Sequence, residues 1–63
     1  MWIVLKLISK DNFNRFESVM PNASSVVTVL LFGKHMGYMP VYISYESAYK
    51  DFPMETIHKL RDT

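Results

Sequence analysis

Apolar positions along this chain follow two periods, and they alternate in blocks. Met1 to Ser9 carries Trp2, Ile3, Val4, Leu5, Leu7 and Ile8 with a single charge at Lys6, a β-branched and aromatic run too short for a stable helix. It predicts a first strand. Phe13, Phe16, Val19 and Met20 then recur at steps of three and four with Asn14, Arg15 and Glu17 between them, which predicts a helix with one apolar face. Asp11 or Asn12 is expected to cap it, and Pro21 to end it by disfavouring helical geometry at Met20. Pro21 to Ser25 reads as a polar turn. From Val26 to Phe32 only Thr28 is polar, so a second strand is expected at the centre of a sheet with both faces covered.

Gly33 to Gly37 reads as a hairpin loop of about five residues, and Tyr38 to Ile43 as the returning strand. Pro40 cannot donate to a ladder and is expected at a strand start, a bulge or a sheet edge. Ser44 is placed to cap a helix whose apolar stripe is Tyr45, Ala48, Tyr49 and Phe52, stopped by Pro53. Residues 54–63 fit either period, since Met54, Ile57 and Leu60 are helically spaced while Met54, Thr56, His58 and Leu60 alternate. A strand is the preferred assignment.

The predicted fold class is α+β: a single domain over residues 1–63 in a compact two-layer β-α-β-β-α-β arrangement, the ferredoxin-like order. Its antiparallel sheet would carry two short helices on one face, leaving the other without a cover. Because the first two strands are apolar on both sides, the uncovered face would exceed the few hundred Å² of apolar patch usual on a soluble monomer. A homodimer stacking sheet on sheet is the expected remedy, with Val4 and Val29 as candidate interface positions.

Composition strengthens that expectation. With 63 residues there is room for one core, and chains this short usually add disulfides, a metal or a partner subunit. There is no cysteine, hence no disulfide, thiolate nucleophile or thiolate metal ligand, and a reducing cytoplasm is the expected compartment. His35 and His58 lack the i, i+4 spacing that would bring both to one metal, so neither a metal nor a cofactor is expected. The apolar start fails the signal-peptide pattern, being interrupted by Lys6 and followed by Ser9, Lys10 and Asp11. Neither apolar run approaches the roughly 20 residues of a membrane helix, so no membrane partner is expected. Asn22, Ala23 and Ser24 form an N-glycosylation triplet, read here as a turn.

Catalytic chemistry is not marked. The chain has no G-x-S-x-G elbow, no phosphate-binding glycine loop and no H-E-x-x-H helix. Glu46, Asp51 and Glu55 are interspersed with Lys50 and Lys59 in the manner of a solvated face. A non-enzymatic role follows as the expectation. Gly37 to Ile43, reading Gly-Tyr-Met-Pro-Val-Tyr-Ile, resembles the third-strand motif of the RNA-recognition motif, a family that stacks bases on sheet aromatics. The resemblance implies a nucleic-acid site on the open sheet face. Pro40 stands where that motif has an aromatic, Met36 where it has a basic residue, and Ile43 where it ends on another aromatic. A net charge of +1 also supplies little phosphate affinity.

The segment least explained by scaffolding is Lys34, His35, Met36, Tyr38 and Met39, a crowd of adaptable and amphipathic side chains expected at a hairpin end. These are the candidate partner-binding residues. Tyr42 with Tyr45 and Tyr49 forms a second aromatic group, with the latter two assigned to helix-to-sheet packing. The functional expectation is a small regulatory module that binds a protein partner as a homodimer, by occlusion or scaffolding. Inhibition of a host protein, as by small virus-encoded regulators, is one form of that role. The rival is a nucleic-acid-binding module.

Overall fold

The structure, a computed structural model, describes residues 1–60. It is a small α+β fold: β1 (Trp2–Val4), α1 (Lys10–Asn14), α2 (Phe16–Val19), β2 (Ser25–Leu31), β3 (Lys34–Tyr42), α3 (Tyr45–Asp51) and β4 (Ile57–Lys59). The four strands form one open antiparallel sheet in the order β2-β3-β1-β4. Of the strand expected over residues 54–63, only Ile57–Lys59 forms one; residues 54–56 and 60 do not, and residues 61–63 lie outside the described residues.

The first strand is shorter than the apolar run. Pairing with β3 stops at Ile3 opposite Val41, after which the chain leaves the ladder and returns only at Ile8, which exchanges two hydrogen bonds with Tyr38 of 2.7 and 3.0 Å. The helix expected across Phe13 to Met20 is two helices. Ser9, one turn earlier than the expected caps, accepts from the Asn12 N–H at 3.2 Å. At Arg15 the ladder breaks: φ of −103° and ψ of 34° leave helical geometry and its N–H donates three residues back to the Asn12 carbonyl at 3.1 Å, while its own carbonyl starts α2 by accepting from the Ser18 hydroxyl and the Ser18 and Val19 N–H groups. Ser44 caps α3 as expected, its Oγ accepting from the Ser47 N–H at 3.2 Å.

Cross-strand partners share a face of a sheet. Trp2, Val4, Val26, Thr28, Tyr38, Pro40, Tyr42 and Ile57 therefore lie on one side, and Ile3, Val27, Val29, Met39, Val41 and His58 on the other. All three helices cover the first side. Phe13 of α1 stacks on Tyr38 with centroids 4.3 Å apart, Phe16 and Val19 of α2 pack on the core, and α3 contributes Ala48, followed by Phe52. The core cluster is Val4, Ile8, Met20, Tyr42, Ala48 and Phe52. On the other side Ile3 and Val41 are buried as well, outside that cluster.

Two sequence expectations fail here for physical reasons. β2 is not central but an edge strand, because β3 takes the middle position between it and β1. Pro40 accordingly sits inside a central strand. It is tolerated because alternation from Tyr38 turns its nitrogen toward β1, and the β1–β3 pairing has already stopped at Ile3 opposite Val41. The second failure is the loop. Phe32 and Gly33 alone make the turn, with φ of 51° and 75°, the doubly left-handed geometry of a two-residue hairpin. Lys34, His35, Met36, Tyr38 and Met39 are therefore strand residues. The register shifts between Val29 and Leu30, opposite Met36 and Gly37, so β3 carries a bulge.

The bulge requires its glycine. Gly37 has φ 149°, and a Cβ there would sit 3.0 Å from the Ile8 carbonyl oxygen, against backbone that cannot move aside without losing the Ile8–Tyr38 bridge. Gly33 has open space around it. Gly37→Ala is therefore expected to cost about 2 to 3 kcal/mol and Gly33→Ala about 1 kcal/mol, measured by urea denaturation. Equal costs would show that the close approach to Ile8 does not constrain the fold.

Candidate functional site

Charge chemistry in this molecule is sparse. The Tyr42 phenol is pushed well above its ordinary value of 10.0, first by burial and then by its hydrogen bond to Asp51. That bond is 2.7 Å long. The same carboxylate accepts from the Asn22 N–H at 3.0 Å and the Asn22 side-chain amide at 2.7 Å, which joins the end of α3 to the turn before β2. Asn22 is thus a turn residue, as expected. No buried side-chain nitrogen or oxygen among the described residues lacks a partner. The Tyr42–Asp51 pair is thus a strut between β3, α3 and the turn before β2.

Lys6 and Glu55 form an ion pair at 3.0 Å, but both are partly exposed and such pairs contribute roughly 0 to 1 kcal/mol. Among the described residues no group of three or more His, Cys, Asp or Glu is arranged to hold a metal ion. An open hollow of about 390 Å³ lies along one side of α3 between Tyr45, Glu46, Tyr49 and Lys50. Tyr45 meets Trp2 edge-on at 5.3 Å, yet Tyr45 and Tyr49 stay about half exposed. They are not the packing stripe; Ala48 and Phe52 bury instead.

The candidate partner-binding residues separate into three environments. Lys34, His35 and Met36 are exposed on the outer part of the β2–β3 hairpin. Tyr38 is half-buried on the helix side, between Phe13 and the His35 ring 4.7 Å away. Met39 is half-buried on the opposite, helix-free side, opposite Val27. The expected crowd is therefore not one patch. The two candidate interface residues separate as well: Val29 is on the helix-free face, but Val4 is 0% exposed within the core and cannot touch a second copy.

Sequence reading named Lys34, His35 and Met36 near the hairpin tip but missed Leu30, Leu31 and Phe32. Leu30 is 63% exposed, Leu31 52%, Met36 47% and Phe32 94%. Beyond the Ile8–Tyr38 bridge no third strand among the described residues flanks the hairpin, so these side chains project past the body of the sheet. Phe32 is the sharpest case. It adopts φ 51°, which a bulky residue avoids, at a turn position that asparagine or glycine would fill with less strain, and it buries almost nothing in return. The available signal was Phe32-Gly33 read as a two-residue turn between apolar runs, concealed because the aromatic resembled one more strand residue.

Comparison with protein-family models, with curated proteins and with solved structures finds no match. No helix of the described residues is long and apolar enough to cross a membrane.

The Tyr42–Asp51 strut has a pH signature. A phenol with a raised folded pKa contributes its full stability below its unfolded value near 10.0 and loses it as pH climbs above that value. Thermal unfolding followed from pH 8 to 11 should show the midpoint of the native protein falling more steeply above about pH 10 than that of Tyr42→Phe. Parallel curves would remove Tyr42 as the cause.

Proposed function

We propose that this protein is a non-enzymatic module that acts by contact with a partner protein, through the tip of the β2–β3 hairpin. The observation that carries this reading is Phe32. A phenylalanine held in a left-handed conformation at 94% exposure strains the turn and covers no core. Its contribution then lies outside the fold. Leu30, Leu31 and Met36 extend the apolar tip, and Lys34 and His35 border it with polar groups, the arrangement of an anchor with a polar rim.

Self-association belongs to the same reading. Val27, Val29 and Met39 surround the Ile3–Val41 pair on a face without helices, and a second copy stacking there would act as the missing layer. We also keep the ferredoxin-like order within the reading; what supports it is that β1 and β3 occupy the middle of the sheet with β2 and β4 outside. The cytoplasm is the compartment assigned, supported by the lack of cysteine. Occlusion of a partner is the mode a chain of 63 residues can deliver, as an inhibitor or a scaffold. The nucleic-acid alternative is the weaker one. On the helix-free face the sheet offers Val27, Val29, Met39 and Val41 where base stacking would need aromatics, and Tyr38 is occupied by Phe13 on the other side.

The turn makes a separation of function testable. Phe32→Asn should raise stability by about 0.5 to 1 kcal/mol in urea denaturation, since asparagine accepts the left-handed geometry, while lowering the amount of host protein retained on an immobilised column at least severalfold. A variant that is more stable and binds equally well defeats the hairpin-tip reading. A salt titration against single-stranded RNA and DNA separates the alternative: affinity at low salt that falls steeply as salt is added would support nucleic acid, and no binding at low salt removes it.

A further inference from the structure

The two edges of the sheet are built differently. β4 spans only Ile57–Lys59, includes His58 and Lys59, and is thus short and charged, as protected edges are. β2 spans Ser25–Leu31, and the chain from Pro21 to Gly33 carries no charged residue at all. The bulge that twists the hairpin belongs to β3, so β2 has neither proline, charge nor bulge to blunt it.

Its free groups can be named. Tyr38 exchanges both backbone hydrogen bonds with Ile8, so its N–H and C=O face the β1 side, and by alternation Gly37, Met39 and Val41 face β2. Their partners Val29, Val27 and Ser25 are thereby tied inward. Val26, Thr28 and Leu30 turn their N–H and C=O outward. Among the described residues no hydrogen bond outside the β2–β3 ladder involves these three.

We infer that the β2 edge pairs antiparallel with β2 of a second copy, about a two-fold axis at Thr28, to make one continuous eight-stranded sheet. Of the antiparallel registers, the one centred on Thr28 uses every outward group: Thr28 meets Thr28 of the second copy, and Val26 and Leu30 meet each other twice, for about six hydrogen bonds. The side chains suit it equally. On the helix side the half-exposed Val26 lies against Leu30, which is 63% exposed in the single chain, and the two threonines lie side by side, a favourable cross-strand pair. On the other side Val27 meets Val29. No like charges are brought together, since the strand has none.

This surface is distinct from the helix-free face, and the pairing does not depend on stacking there. Edge pairing alone gives a dimer; edge and face together give a tetramer. Phe32 stays at the outer ends of the central ribbon, free for another protein.

The two-fold axis supplies the test. Thr28→Lys and Thr28→Glu each place like charges opposite each other at the axis, and each should weaken assembly by roughly tenfold or more, halving the molar mass read by light scattering at low salt. Mixed in equal amounts, the two variants should restore it, because lysine then faces glutamate. Circular dichroism on each variant confirms folding, which an exposed edge position should preserve. Thr28→Cys offers a second reading: paired residues of this type stand about 5.5 Å apart, within disulfide reach, so the only cysteine in the chain should oxidise to a covalent dimer faster than one placed at Thr56 on the far edge. A wild-type protein of 7.4 kDa at all concentrations, variants that leave the mass unchanged, or a mixture that fails to restore it would each overturn the proposal. Loss of mass in Met39→Glu with none in the Thr28 variants would place the second copy on the helix-free face instead, and separates this inference from the stacking reading.

Discussion

Tyr42 is the largest fully buried side chain in this protein, and its phenol has to find a hydrogen-bond partner inside a core that is otherwise apolar. Asp51 answers that demand at 2.7 Å and, because a carboxylate has capacity to spare, also receives both donors of Asn22. One polar contact thus fixes the relative positions of three segments: the end of β3, the end of α3 and the turn that launches β2. The ring beneath it packs with Val4, Ile8, Met20, Ala48 and Phe52, so the same residue that sets the polar joint also centres the hydrophobic cluster. Removing Asp51 would leave a buried hydroxyl unpaired, which costs more than the bond itself contributes.

A core centred on Tyr42 is one-sided. Among the described residues every helix lies on the face that carries it, and none is left to cover the other, where Ile3 and Val41 are buried beside more exposed strand residues. Small size makes this unavoidable, since three short helices of five, four and seven residues cover little area. The surplus apolar residues are therefore at the surface. They include Val27, Leu30, Leu31 and Phe32 on β2 and the hairpin turn, a stretch without charged residues, and also Leu5, Leu7, Ile43, Tyr45, Tyr49 and Met54 elsewhere.

Much of this was legible in the sequence. The helix cap at Ser44, the α+β class, the strand near Ile57 and the surplus of apolar strand surface all follow from local rules that the fold obeys. What was hidden was hidden by non-local effects. A run such as Val26 to Phe32 has the texture of a central strand, and only the pairing partner decides that β3 rather than β2 takes the middle. Gly33 and Gly37 bracket what looks like a loop, yet the second glycine serves a close approach to Ile8, a contact between residues far apart in sequence. The candidate site was displaced for the same reason: once the turn shrinks to Phe32 and Gly33, alternation sends Tyr38 and Met39 to opposite faces.

The same alternation ties the two apolar features of the hairpin together. A strand rich in valine and leucine with no charge from Pro21 to Gly33 is a hazard on a sheet edge, because any other edge can pair with it. Natural sequences commonly disarm such edges with a single lysine or proline, a change that β2 could accept at Thr28 without loss of any intramolecular contact named above. Phe32 sits in a parallel situation, where asparagine would relieve strain at no cost to the core. Two positions in one hairpin thus keep residues that folding alone would not select. Both turn toward solvent what the fold has left over, the unpaired backbone of β2 along one side and an aromatic ring at the end. The hairpin thus exposes strand edge and apolar surface that the fold itself does not use.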